Sequence, residues 1–69
     1  MERVTQKHEG KRAVIRDTGY RGRLPYPGRL ADETGTVIRR GSWFFEFHRD
    51  GYPVAMYDAR AWKIAEVLS

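Results

Sequence analysis

The chain contains no cysteine. That excludes a disulfide framework and any thiolate metal site, and it removes one signature of an oxidising compartment. Long apolar runs are missing as well. The opening "MERVTQKHEGKR" is charged with no hydrophobic stretch behind it, so neither a signal peptide nor a membrane-spanning helix is expected. Histidine is scarce. His8 and His48 stand forty positions apart with no carboxylate pair at ligand spacing, so no metal centre is expected. No repeat, linker or low-complexity segment is visible. These absences lead to the expectation of a cytoplasmic protein with no cofactor and no membrane partner.

What remains is short and basic. Sixty-nine residues make one domain, and at that size folding buries only ~60% of the surface of the open chain. Thirteen lysines and arginines against nine acidic residues give a net charge of +4 and an isoelectric point near 9.9. An anionic partner suits this charge, although solubility alone also favours it. Arginine outnumbers lysine ten to three. This fits planar, bidentate recognition of phosphate or carboxylate, and it equally fits the codon usage of a GC-rich genome.

Along the chain the pattern is that of short strands. Residues 1–10 are polar, end at a glycine and read as a flexible N-terminal arm, leaving 11–69 as the folded domain. "RAVIRD" (12–17), "TGTVIRR" (34–40), "WFFEFHR" (43–49), "YPVAMY" (52–57) and "KIAEV" (63–67) are β-like. In the third of these, Trp43, Phe45 and Phe47 alternate with Phe44, Glu46 and His48, which predicts a core-facing aromatic stripe. Asp50-Gly51 predicts a tight hairpin, with Pro53 tolerated at the start of the following strand. "DARAW" (58–62) is too short for an α-helix, so a single 3-10 turn capped by Asp58 is expected there.

The order of these elements resembles the SH3-like barrel: a strand, a long loop over 18–33, three strands in meander, a 3-10 turn and a short last strand. The resemblance implies an all-β, small five-stranded SH3-like barrel with one 3-10 turn before the last strand. It extends at the level of pattern to the barrels of the KOW and retroviral-integrase C-terminal kinds, which bind nucleic acid.

Three motifs suggest chemistry and lead elsewhere. "HRDG" (48–51) copies letters of the protein-kinase catalytic loop, but the rest of the kinase signature is missing, and a strand end plus a turn explains it. Asp32-Glu33 is better explained as a cap before the second strand than as an acid–base pair. Val54-Ala55-Met56-Tyr57 followed by "DARAWKI" resembles the pore strand of the type II dihydrofolate reductases. That family reads Val-Gln-Ile-Tyr there, and Ala55 replaces its glutamine with a methyl group that makes no hydrogen bond. No enzyme activity is expected.

The candidate site is the stretch "GYRGRLPYPGRLADETG" (19–35). Tyr20 and Tyr26 offer flat faces for stacking, while Arg21, Arg23 and Arg29 supply donors, with Arg39 and Arg40 joining from the second strand. The competing reading is that Tyr20 with Leu24 or Leu30 forms a minor core and the arginines remain in water. In peptide-binding SH3 domains, first-loop tyrosines and a tryptophan opening the third strand form proline grooves. Tyr20, Tyr26 and Trp43 match those places, but the acidic cluster that reads a basic ligand is absent. The leading expectation is a non-enzymatic binding module for nucleic acid. The alternative is a protein-interaction module, such as a phage- or plasmid-type accessory factor docking on a host protein complex.

Overall fold

The computed structural model describes residues 1–19 and 32–69. Six strands are present: β1 (Glu2–Arg3), β2 (Arg12–Asp17), β3 (Asp32–Arg40), β4 (Phe44–Arg49), β5 (Ala55–Asp58) and β6 (Trp62–Val67). All pair antiparallel in one sheet of order β1-β6-β2-β3-β4-β5. Strands β2 to β5 form a meander, β6 returns beside β2, and β1 adds outside β6. The fold is therefore all-β as expected. The expected five-stranded barrel is corrected: among the described residues there are six strands, and β1 and β5 are edges of one sheet that do not pair with each other.

Period-two alternation puts one face of every long strand into a common core. Ala13 and Ile15 of β2, Val37 of β3, Phe45 and Phe47 of β4 and Ile64 of β6 are buried, joined by Val4 and Ala59. Each large apolar side chain so buried contributes roughly 1.5–3 kcal/mol. Phe45 and Phe47 meet edge to face at 6.2 Å, Tyr57 stacks on Phe45 at 5.6 Å, and Trp62 abuts Tyr57 at 5.0 Å. The aromatic stripe differs from expectation at one end. Trp43 lies before the first β4–β5 ladder pair, Phe44↔Asp58, and it is 53% exposed.

Two irregularities re-aim side chains. In β3 the register runs Val37↔Phe47 and then Arg39↔Glu46, which leaves Ile38 as the extra residue of a bulge. The bulge reverses the alternation that follows. Arg40, paired with Phe45, turns toward the core side, whereas Arg39 goes outward to Glu46. In β6 a second shift, from Val14↔Glu66 to Ile15↔Ile64, leaves Ala65 unpaired in that ladder.

The N-terminal ten residues contribute to both the sheet and the core. Glu2 and Arg3 pair with Ile64 and Lys63, and Val4 is fully buried. A 3-10 turn at Gln6–His8 follows, stopped by Gly10 with φ at 81°. His8 is buried yet satisfied at both ring nitrogens: Thr5 N–H donates to Nδ1 at 2.9 Å, so Nε2 carries the proton and faces Glu2 Oε1 at 3.3 Å. This is the 3-10 element of the described residues, and its position corrects the expectation of one before the last strand. At 58–61 there is instead a hydrogen-bonded turn, with Ala61 N–H donating to Asp58 O at 3.1 Å and Arg60 N–H to Asp58 Oδ1 at 2.8 Å.

The Asp50-Gly51 turn is present. Gly51 has φ 85°, and Tyr52 N–H closes the turn onto Arg49 O at 3.0 Å. The ladder resumes only at Phe47↔Ala55, so Tyr52, Pro53 and Val54 lie in the connection rather than in the strand.

Asp32 and Glu33 belong to β3 rather than to a loop, and alternation sends them to opposite faces. Asp32 takes Arg16 in a bidentate pair at 2.6 and 2.9 Å. Glu33 accepts the Tyr57 hydroxyl and lies 3.8 Å from Arg49. Partial burial, then the Glu33 carboxylate, push the Tyr57 phenol well above the ordinary tyrosine range. A phenol whose folded pKa is raised contributes stability that is complete below the unfolded value near ~10 and is lost as pH rises above it. Denaturant titrations between pH 9 and 11 should therefore show stability falling above pH ~10, with Tyr57→Phe making the fall shallower. Lys63, whose lowered pKa acts in the opposite sense, is unchanged in this comparison. An identical fall in the variant would contradict the Tyr57–Glu33 contact.

Candidate anion-binding cleft

Among the described residues, most of the basic side chains are occupied. Arg12 forms a bidentate pair with Asp50 at 3.0 and 2.7 Å, Arg16 pairs with Asp32, and Arg60 pairs with Asp58 at 2.9 Å. Lys7 reaches Glu2 at 2.7 Å, Arg39 reaches Glu46 at 3.4 Å, and Arg49 reaches Glu33. Among the described residues this leaves Arg3, Lys11, Arg40 and Lys63 without a carboxylate partner. Three of these, Arg3, Arg40 and Lys63, line one cleft of about 590 Å³.

The walls of the cleft come from separate parts of the sheet. Arg3 stands on β1 directly opposite Lys63 on β6. Arg40 ends β3, Ser42 and Trp43 form the connection into β4, and Ala59 and Arg60 form the turn before β6. Thr18, just past β2, completes the lining. It is pinned there because its N–H and hydroxyl both donate to Ala61 O, at 2.9 and 2.7 Å. Trp43 is also held: Ala59 N–H donates to its carbonyl at 2.9 Å, and its ring meets Phe44 edge-on at 5.4 Å. Arg40 bridges β1 and the β3–β4 connection. Its Nε donates to Val4 O at 2.8 Å and its Nη1 to Gly41 O, while Glu9 Oε2 accepts the Arg40 backbone N–H at 2.8 Å.

Among the described residues, none of Arg3, Arg40 and Lys63 forms a side-chain ion pair here. Partial burial, then Arg3 and more weakly Arg40, hold the Lys63 ammonium below the usual lysine range, with Asp58 opposing them. Lys63 donates to Ala59 O at 3.3 Å. On its other flank it is the cross-strand partner of Arg16, whose charge Asp32 neutralises. Like charges directly opposite in a sheet destabilise it. A second, shallower cleft of about 440 Å³ shares Arg40 and Ser42 and continues to Lys7 and Gln6.

The sequence-based site is divided by this arrangement. Arg40 lines the cleft, although much of its guanidinium is spent on backbone carbonyls. Arg39 is not in the lining; it faces outward over the Phe44 ring at 5.3 Å. Tyr20, Arg21, Arg23, Tyr26 and Arg29 lie outside the described residues, as do Leu24 and Leu30. Arg3, Lys63 and the exposed Trp43 were not legible as a site because they stand far apart in the chain. Among the described residues no cluster of three or more His, Asp or Glu side chains is arranged to hold a metal ion, and no helix is long and apolar enough to cross a membrane. Comparison with known proteins finds no matching family model, curated protein or solved structure.

Proposed function

We propose that this chain is a non-enzymatic binding module for an anionic partner, nucleic acid foremost, built on an SH3-like arrangement. One observation carries the reading: three of the four described cations without a carboxylate partner converge on one cleft, beside an exposed and anchored tryptophan. Cations left without a side-chain ion pair, with Arg3 and Lys63 directly opposite each other, suit an external anion. The basic-aromatic segment fits the same reading, because in sequence it follows Thr18, a residue of the cleft wall. The meander from β2 to β5 with β6 beside β2 supports the SH3-like comparison and its nucleic-acid-binding kinds.

Titration of labelled oligonucleotides at two salt concentrations tests the proposal. Three to five phosphate contacts predict a log–log slope of roughly −2 to −4.5. Arg21→Ala with Arg23→Ala should reduce its magnitude by up to about two, with the fold intact. Absence of binding at low salt would refute the nucleic-acid reading. The second reading, docking on a larger protein or nucleoprotein complex, is favoured by the exposed Tyr52, Val54 and Met56 on and beside the open edge strand β5. It predicts a partner that survives nuclease treatment in a pull-down.

A further inference from the structure

We propose that the cleft takes a single strand rather than a duplex, seating a backbone phosphate between Arg3 and Lys63 and an unpaired base against Trp43. This rests on the nucleic-acid reading above and specifies its substrate.

Three observations point the same way. Arg3 and Lys63 are direct cross-strand partners and both line the cleft, so their side chains rise from the same face of the sheet. A phosphate placed there relieves their mutual repulsion and takes donors from both. Trp43 shares the lining with them and offers an exposed indole face whose backbone is fixed by Ala59. A duplex keeps its base faces stacked inside the helix and presents only phosphates and groove edges, so an indole in a concave wall gains a stacking partner only from an unpaired base. Finally, the cleft of about 590 Å³ shares Arg40 and Ser42 with the lining of the second, which reaches Lys7, itself paired with Glu2. Basic side chains thus recur along adjoining walls, an arrangement suited to a linear polyanion rather than to one small anion.

Three labelled probes separate these elements: an oligo-dT of about twelve nucleotides, an abasic strand of the same length, and a duplex of similar length. The wild type should bind oligo-dT about 5- to 150-fold more tightly than the abasic strand, the range of one base–aromatic stack. Trp43→Ala should bring oligo-dT down to the abasic level with its salt slope unchanged, since stacking releases no counterions. Lys63→Gln should weaken both strands alike and reduce the slope by about 0.7. Trp43 is half exposed, and the wild-type comparison of oligo-dT with the abasic strand requires no variant at all. Equal binding of oligo-dT and abasic strand, or preference for the duplex, would overturn the single-strand proposal while leaving nucleic-acid binding intact. Failure of every probe to bind at low salt would overturn both.

Discussion

Replacing Gly35 by alanine is expected to lower the melting temperature by more than ~12 °C, because the cost should exceed the ~3 kcal/mol upper end of ordinary overpacking. Gly35 sits in mid β3, paired with Ala13 on one side and Arg49 on the other. A Cβ there would lie 2.2 Å from the His48 carbonyl oxygen and 2.8 Å from Arg49 Cα. Both are backbone atoms, so relief requires moving β4 away from β3 and with it Phe45 and Phe47, the largest side chains of the core. Gly41 is a useful contrast. The atoms nearest its added Cβ belong to the Phe44 ring, a side chain rather than backbone. At Gly51 the surrounding space is open and only the positive φ opposes a side chain, a local cost of ~1–2 kcal/mol. Thermal unfolding followed by circular dichroism checks the ordering. A Gly35→Ala variant melting within a few degrees of wild type would mean that β3 and β4 do not approach as described.

Lys63→Glu is expected to stabilise the protein while weakening its binding. Lys63 lies between Arg3 on β1 and Arg16 on β2; with Arg16 neutralised by Asp32, a carboxylate in its place gains chiefly the Arg3 partner, against a weaker repulsion from Asp58. An opposite-charge cross-strand pair contributes roughly 0.2–1 kcal/mol, which raises the melting temperature by up to several degrees in a domain of this size. Binding moves the other way. Loss of one charge-assisted hydrogen bond to phosphate costs about 1.5–3 kcal/mol, or roughly 10- to 150-fold in affinity. Arg3→Glu alone should behave similarly. In Arg3→Glu/Lys63→Glu the repulsion returns with opposite sign, so the melting temperature should drop below that of either single variant while binding stays lost. A Lys63→Glu protein that is less stable and binds as before would show that the pair serves the fold and not a ligand.

The parts of this fold that were legible in the sequence are those set by local pattern. Residues 12–17 form β2 within the expected bounds because the apolar cluster is closed by Thr18-Gly19. Phe45 and Phe47 enter the core because alternation in a half-buried strand leaves them no other face. Trp43 breaks the same pattern because the ladder starts one residue after it, a boundary fixed by pairing with Asp58 rather than by anything at position 43. The first strand was invisible for a related reason. Two residues carry no periodicity, and Glu2 and Arg3 are strand only because β6 lies beside them some sixty positions later. The bulge at Ile38 decides which of two adjacent arginines reaches the cleft, and no local signal marks it. Charge pairing was equally hidden. Which arginines are spent depends on contacts such as Arg12–Asp50 between strands distant in sequence, and the cleft is what remains after those pairs have formed.

Backbone and indole N–H chemical shifts recorded during titration with oligo-dT test most directly whether an anionic strand binds along Arg3, Lys63 and Trp43. The predicted result is a set of saturable, salt-sensitive shifts at Arg3, Thr18, Ser42, Lys63 and the Trp43 indole, with His48 and Thr36, paired with each other in β4 and β3, left unmoved. Shifts confined to Tyr52, Val54 and Met56, or none at low salt, would contradict it.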